Sequence, residues 1–402
     1  MTEERQFRNV LVTDGEQRAA LAVVRSLGAA GHVVHVCATT RRSLAGASRF
    51  AKPEHNVASA LTSPLDFVND VRTLVIGHEI DTIIPMTEPA LLALLPERDR
   101  FPGVLLPFAD AETFRSISDK QAVLAAAQKA GIAVPAQAVL DTKDAAGSID
   151  MASILFPVVV KPARSVSVGV DDRLKLSVQH AGSEAELRSI LGAMDARAYP
   201  LLLQQRIIGS GVGIFVLIWN GQLIAQFAHR RIREKPPSGG ISVYRESIPV
   251  DQELLKRSIA LLADFAWQGV AMVEYKIDEQ TGIPYLMEIN GRFWGSLQLA
   301  IDAGVDFPRL LLEAATGHVP ETIPQFSADI RSRWFWGDVD HLLTRMRRSD
   351  EQLSMPPGSP SRKSAFRDFF RHDPRDRSEV FRMHDMKPFL RESIQWFQQL
   401  GK

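Results

Sequence analysis

Tyr285-Leu286-Met287-Glu288-Ile289-Asn290-Gly291-Arg292 alternates apolar and polar positions as a β-strand does. That period puts Glu288 and Asn290 on one face, about 6.5 Å apart along the chain. Two oxygen donors at this spacing can share a hard divalent cation. Magnesium suits them, because it takes one or two carboxylates and fills its octahedron with phosphate oxygens and water. Upstream, Val270-Ala271-Met272-Val273-Glu274-Tyr275 reads as a second apolar strand presenting one acid, Glu274. The connection Asp278-Glu279-Gln280-Thr281-Gly282 has turn chemistry, so an antiparallel hairpin is expected to set Glu274 beside Glu288. Neighbouring carboxylates repel, and a cation resolves the conflict. The alternative is an exposed strand with scattered acids.

Two lysines extend the pattern. Pro157-Val158-Val159-Val160-Lys161-Pro162 is a buried strand ending on a charge, and a lysine in that position faces an anion or solvent. The loop behind it, Ala163 to Val170, carries small polar residues whose backbone N–H groups can cover phosphates, though Gly169 is its single glycine. Ser118-Asp119-Lys120 opens a helix that runs to about Ala130 and stops at Gly131, which places Lys120 at a helix start as a second phosphate candidate. Each lysine alone also fits an ordinary surface residue. Leu201 to Gly209 is an apolar strand running through Gln204-Gln205 into a glycine turn, a hinge able to offer amide groups to an adenine edge.

Around this centre, the first hundred residues alternate strand and helix signals: Asn9–Thr13, a helix over Ala19–Ala30, His32–Ala38, a helix including Val71–Val75, then Asp81–Pro85 and Val104–Pro107. Apolar strands with helical crossovers imply a parallel sheet covered on both faces. The first loop, Thr13-Asp14-Gly15-Glu16, lacks G-x-G-x-x-G and carries two acids where a pyrophosphate would sit, which argues against a dinucleotide site. Farther on, the segments read as mixed strands with a helix near Glu184–Met194 and another over Phe307–Thr316. Ser354–Ser364 reads as a loop.

Composition sets outer limits. The chain has 402 residues, 45% of them hydrophobic, enough for two or three domains. Lys+Arg and Asp+Glu are both 47, so the overall charge selects no partner. From Arg331 to Lys402, however, 15 basic residues meet 10 acidic ones, an excess expected on a solvated surface or at an anionic substrate rather than on nucleic acid. The single cysteine, Cys37, excludes an intrachain disulfide and a cysteine metal cluster. The polar N-terminus and the lack of a long apolar run predict a cytoplasmic protein with no membrane span.

Taken in order, a D-K helix start, a V-V-V-K-P strand, a Q-Q hinge, an acidic strand and M-E-I-N-G-R resemble the ATP-grasp superfamily, particularly its carbamoyl phosphate synthase-like and carboxylate–amine ligase branches. Ile83 to Glu88 and Ala130 to Pro135 look like that family's entry into the ATP-binding unit, and the resemblance covers roughly residues 8 to 318. It implies an α/β and α+β architecture: a Rossmann-like N-terminal (pre-ATP-grasp) domain over 1–112, an ATP-grasp small lobe over 113–202, a large lobe with the metal site over 203–325, and a C-terminal extension over 326–402, with ATP between the lobes. By similarity, Lys120 and Lys161 contact ATP phosphates and the edge of the adenine pocket, Gln204, Gln205 and the backbone near Ile207 form the hinge, and Glu274, Glu288 and Asn290 hold magnesium, which manganese can replace. Arg292 matches a basic residue that stabilises the transferring phosphoryl group or acyl phosphate.

In the run Ala228 to Lys235, alternation aims His229, Arg231 and Arg233 to one face. They read either as a charged strand edge or as contacts to the γ-phosphate or a substrate carboxylate, with Arg231 the leading candidate. The stretch Gly209 to Ile214 lacks the acid many relatives use to grip the nucleotide. The implied activity is an ATP- and magnesium-dependent ligase that activates a carboxylic acid as an acyl phosphate, releases ADP and joins the acid to an amine or other nucleophile. Carboxyphosphate chemistry of the biotin carboxylase type and a non-catalytic ATP-binding module are the alternatives. The expected partners are a small carboxylate and an amine, with neither nucleic acid nor membrane, and a homodimer is compatible with the pattern. The Arg333-Trp334-Phe335-Trp336 stretch is expected to pack against the core rather than read a ligand.

Overall fold

The computed structural model describes residues 7–147, 149–167, 173–356 and 358–400. Three sheets organise them. The first holds β1 (Asn9–Val12), β2 (Val33–Ala38), β3 (His55–Asn56) and β4 (Thr82–Ile84), all parallel in the order β3-β2-β1-β4. Helices α1 (Arg18–Ala29), α2 (Pro64–Gly77) and α3 (Glu88–Leu94) make the crossovers, as expected where strands are apolar on both faces. Leu105 makes only an isolated bridge to Thr82, so the strand expected at Val104–Pro107 is one residue pair: Pro107 supplies no N–H to extend a ladder.

Helices α4 (Ala111–Ser118) and α5 (Lys120–Lys129) lead into a second sheet of β5 (Gln137–Leu140), β6 (Val158–Pro162), β7 (Gln179–Ala181) and β8 (Leu201–Gln205) in the antiparallel order β5-β8-β6-β7. With α6 (Glu184–Ala193) this sheet encloses its own core of Val158, Val160, Leu187, Leu191, Leu201 and Leu203.

The third sheet is the largest: β9 (Gly209–Trp219), β10 (Gln222–Lys235), β11 (Ile241–Ser247), β12 (Gly269–Asp278), β13 (Pro284–Asn290), β14 (Arg331–Arg333) and β15 (Asp376–Ser378), in the order β13-β12-β9-β10-β11-β14-β15. Helices α7 (Gln252–Asp264), α8 (Leu297–Ala303) and α9 (Phe307–Ala315) accompany it, and its core is continuous with that of the N-terminal sheet. Ten residue pairs join β12 to β9 without interruption, so the acidic strand sits in a central, rigid place.

The tail is woven into this sheet. Strand β14 pairs antiparallel with β11 and β15 parallel with β14, while α10 (Phe335–Arg347), α11 (Arg362–Phe370) and α12 (Lys387–Leu400) complete it. The loop expected up to Ser364 ends earlier, because the Ser361 hydroxyl caps α11 by accepting from the Ser364 N–H. Glu379 receives both Arg18 (2.6 Å) and the fully buried Arg245 (2.5 Å), and Asp385 receives Arg25 at 2.8 Å. Removing the tail would leave those guanidiniums buried and unpaired. Of the Arg333–Trp336 aromatics, Trp334 packs against the core under the Arg18 guanidinium at 3.7 Å, whereas Trp336 stacks on Trp396 of α12 with ring centroids 4.2 Å apart and Phe335 is exposed. No helix among the described residues is long and apolar enough to cross a membrane.

Candidate functional site

The hairpin forms with Glu274 directly opposite Glu288 in the ladder. The Asp278 side chain closes the turn by accepting from Gln280 N, Thr281 N and Thr281 Oγ1, and a register irregularity between Glu274 and Tyr275 then brings Glu274 opposite Glu288 rather than Met287. Two carboxylates at opposing positions repel unless cations intervene, and cations converge on them from three other elements. Lys120, on the first turn of α5, lies 3.8 Å from Glu288 and donates to Ser165 Oγ at 2.9 Å. Asp119 caps that helix through Gln121 N and Ala122 N, and the Lys120 N–H binds Ala163 O at 2.9 Å, so the loop after β6 is tied to the lysine it faces. Lys161, at the end of β6, approaches Met287 Sδ at 4.0 Å. Arg292 donates to Asn290 Oδ1 at 3.1 Å, and Asn290 Nδ2 donates to Glu288 Oε1 at 3.0 Å.

Arg231 completes the ring from β10. Its side chain lies across β9 to reach Glu274 at 2.5 Å while holding Glu234 at 2.8 Å. The crossing requires glycine beneath it at Gly211, where a Cβ would meet Arg231 Cδ at 2.8 Å; Gly213 instead makes room for the Phe215 ring, 2.5 Å from where its Cβ would lie. The glycine-rich start of β9, where an acidic nucleotide grip is lacking, is the bed on which this arginine rests.

Burial, with Glu288 and Glu234 adding to it, raises the pKa of Glu274 despite Arg231. Glu288 also resists burial, but Lys120, Asn290, Lys161 and Arg292 hold it below the ordinary carboxylate range. Burial pulls Lys161 down against the opposing pull of Glu288 and Glu274. Paired carboxylates displaced in opposite directions and faced by four cationic side chains could accept a metal–anion complex. The donors are hard oxygens, two carboxylates and an amide, and they fit magnesium.

Sequence reading missed Glu88, at the first position of α3. It lines a small cavity with Lys120, Ser165, Glu288, Asn290 and Arg292, and its pKa is raised by burial against Arg292 and Lys120. Its signal was only a helix start behind Thr87. Lys276 was also missed; it reaches toward Ile207 O at 3.5 Å and lines the larger cavity described below.

The hinge differs from expectation in detail. Gln204 is buried and donates to Gln137 Oε1 at 2.8 Å, with its own Oε1 unpartnered, while Gln205 is exposed and fixed through its N–H to Ala136 O. Ile207 is buried. Val168, Gly169 and Val170 of the phosphate-covering loop lie outside the described residues. His229 and Arg231 lie on one face, over Gly213 and Gly211, and Arg233 lines the same cavity as Arg231, but their partners differ. Register irregularities on either side of Arg233 send Arg233 to Asp338 of α10 in a two-pronged pair at 2.6 Å, and His229 is buried against Phe215.

Beyond Arg231 the site opens into a cavity of about 630 Å³ between the large sheet and the tail, floored by Gly209 to Gly211 and Tyr244 and walled by residues of α10 and α11. Seven arginine and lysine side chains and three carboxylates line it.

Residues 197–337, which carry β8 through β14 and most of the site, match a family described as "ATP-grasp in the biosynthetic pathway with Ter operon". No curated protein matches the chain. Among solved structures, an L-amino acid ligase from Bacillus licheniformis aligns over 80% of this chain and 76% of its own at 16% identity, with a TM-score of 0.61. N5-carboxyaminoimidazole synthetase from Staphylococcus aureus, complexed with ADP, aligns over 80% of each chain at 15% identity and a TM-score of 0.61. The biotin carboxylase domain of Hydrogenobacter thermophilus 2-oxoglutarate carboxylase, solved as a dimer with MgADP, ADP and bicarbonate, aligns over 82% of this chain and 74% of its own at 16% identity, again at 0.61. At these identities the likeness is one of fold.

Proposed function

We propose that this chain, which belongs to the ATP-grasp superfamily, is an ATP- and magnesium-dependent ligase that activates a carboxylic acid as an acyl phosphate and passes the acyl group to an amine. The observation that carries this reading is the direct pairing of Glu274 with Glu288 inside a ring of Lys120, Lys161, Arg231 and Arg292. Glu274, Glu288 and Asn290 would hold magnesium, which neutralises phosphate charge when bound. Lys120 and Lys161 would bind the phosphates from the opposite lobe, with Gln204, Gln205 and Ile207 at the adenine edge. Arg231 pairs with Glu274 at 2.5 Å; with Glu274 engaged in holding magnesium, its guanidinium would be available to the transferring phosphoryl group and the acid substrate. The substrate carboxylate attacks the γ-phosphorus, the bond to the β-phosphate oxygen breaks, and ADP leaves. The amine then attacks the acyl carbon, expelling phosphate and losing a proton. Arg292 stabilises the charge that builds on the transferring group. The cationic cavity beside Arg231 is where the acid would sit, so acids with further anionic groups are favoured.

The test is to incubate the protein with Mg-ATP and pooled carboxylates and amines and to follow ADP and AMP separately. Substrate-dependent ADP that vanishes in folded Glu288→Gln supports the reading; AMP as the nucleotide product, or full activity in that variant, overturns it.

A further inference from the structure

Three imidazoles meet on the N-terminal sheet. His35 projects from β2, His55 from the edge strand β3, and His78 follows directly on α2. Their ring centroids are 5.8 Å (His35–His55), 4.8 Å (His35–His78) and 4.4 Å (His55–His78) apart. One ring nitrogen from each lies within 4.8 Å of the other two. Only 9% of His35 is exposed, and both its Nδ1 and His55 Nε2 are buried without a hydrogen-bond partner.

An unpartnered buried polar atom is costly, and two of them in one cluster of three imidazoles require a reason. Burial, with His78, His55 and Lys52 adding to it, holds His35 down to about 4. Burial and His78 also hold His55 below its usual range. An uncharged imidazole offers one ring-nitrogen lone pair to a cation. Nearby Glu54 does not compete for the rings, since its carboxylate accepts from Ser43 N with both oxygens at 3.0 Å.

We propose that His35, His55 and His78 form a binding site for a borderline divalent transition metal of the zinc class, with a fourth position left to solvent or an added ligand. Imidazole nitrogens select zinc, cobalt, nickel or copper over magnesium, which prefers oxygen. Tetrahedral bonds of about 2.0–2.1 Å bring such nitrogens to roughly 3.3 Å from one another. Reaching that spacing takes ring rotation of His35 and His55, the widest pair, as well as of His78 at its helix end. Bound metal would cross-link β2, the two-residue edge strand β3 and the end of α2, a segment otherwise joined by few ladder bonds. This site shares no residue with the carboxylate pair and does not depend on the ligase reading.

The experiment uses the full chain, stripped with chelator and titrated with Co²⁺ and, in competition with a chromophoric chelator, with Zn²⁺. The expected result is one equivalent bound at micromolar affinity or tighter, with visible d–d absorption for Co²⁺ and a Zn²⁺-dependent rise in melting temperature. His78→Gln, at the helix end where the fold tolerates change, and His55→Gln should each weaken binding by at least 10-fold and abolish the d–d signal, whereas Glu288→Gln should leave both intact. Absence of the Co²⁺ signal in the wild type, or equal affinity in wild type and His78→Gln, overturns the assignment. So does loss of binding in Glu288→Gln, which would locate the metal at the carboxylates instead.

Discussion

Replacing Arg231 with Met tests the charge arrangement most directly. Methionine keeps much of the side chain's bulk over Gly211 and removes its charge. Glu274 and Glu234 then lose the guanidinium they share at 2.5 and 2.8 Å. Both members of the Arg231–Glu274 pair are largely buried, with 12% and 14% of their side chains exposed. Breaking such a pair by deleting one partner costs about 3–5 kcal/mol. At about 2–4 °C per kcal/mol for a sizeable domain, the melting temperature should fall by roughly 6–20 °C.

The sign of the pH dependence follows from Glu274. Burial already raises its folded-state pKa, and losing Arg231 raises it further. A carboxyl with a raised folded-state pKa favours folding when protonated, so the deficit should be small near and below its unfolded pKa and grow as pH rises through the folded value. Magnesium supplies positive charge to the same carboxylates. The deficit measured in chelator at pH 8 should therefore shrink when Mg-ADP is added, and shrink also at pH 5. Differential scanning calorimetry of wild type and Arg231→Met under these conditions provides the assay. A deficit equal at both pH values and untouched by Mg-ADP would refute the reasoning, as would no deficit at all.

Three further outcomes are expected. Lys161→Met removes an ammonium that burial already disfavours, so stability should change by less than about 1.5 kcal/mol while the KM for ATP rises at least 10-fold in steady-state ADP release. Gly211→Val places a side chain where Arg231 Cδ lies at 2.8 Å; it should displace Arg231, lower ADP formation by a factor on the order of 100, and share the pH-dependent melting of Arg231→Met. Glu392, which accepts from Trp334 Nε1 at 2.8 Å, has its pKa pushed up by burial to about 7. It favours folding while protonated, and that contribution is lost as pH rises from its ordinary value through about 7. Glu392→Gln should thus gain about 3 kcal/mol over wild type between pH 4 and pH 8 in urea midpoints, and a constant difference would contradict it.

The local part of this architecture was readable from the chain because its rules are local. Period-two alternation set Glu288 and Asn290 on one face, and the Asp278–Gly282 turn announced the hairpin, but the irregularity after Glu274 that opposes it to Glu288 was not readable. Asp119 before Lys120 marked a capped helix start, and the apolar strand–helix alternation of the first hundred residues gave a parallel sheet. Partner choice across the fold was not readable. Arg231 and Arg233 carry the same chemistry two residues apart. Only the register irregularities around Arg233, set by strand pairing between β10 and β11, turn one to Glu274 and the other to Asp338. Glu88 joins the site because α3 lies against the end of β13's neighbourhood, not because its own segment announces an acid with a role. Likewise the tail's two strands and the meeting of His35, His55 and His78 rest on contacts between distant segments. The sequence by itself therefore determined the elements, the hairpin and the identity of the charged groups. The tertiary structure alone decided which charges neutralise one another, because ion-pair partners are chosen by three-dimensional register and burial, and neither has a period along the chain.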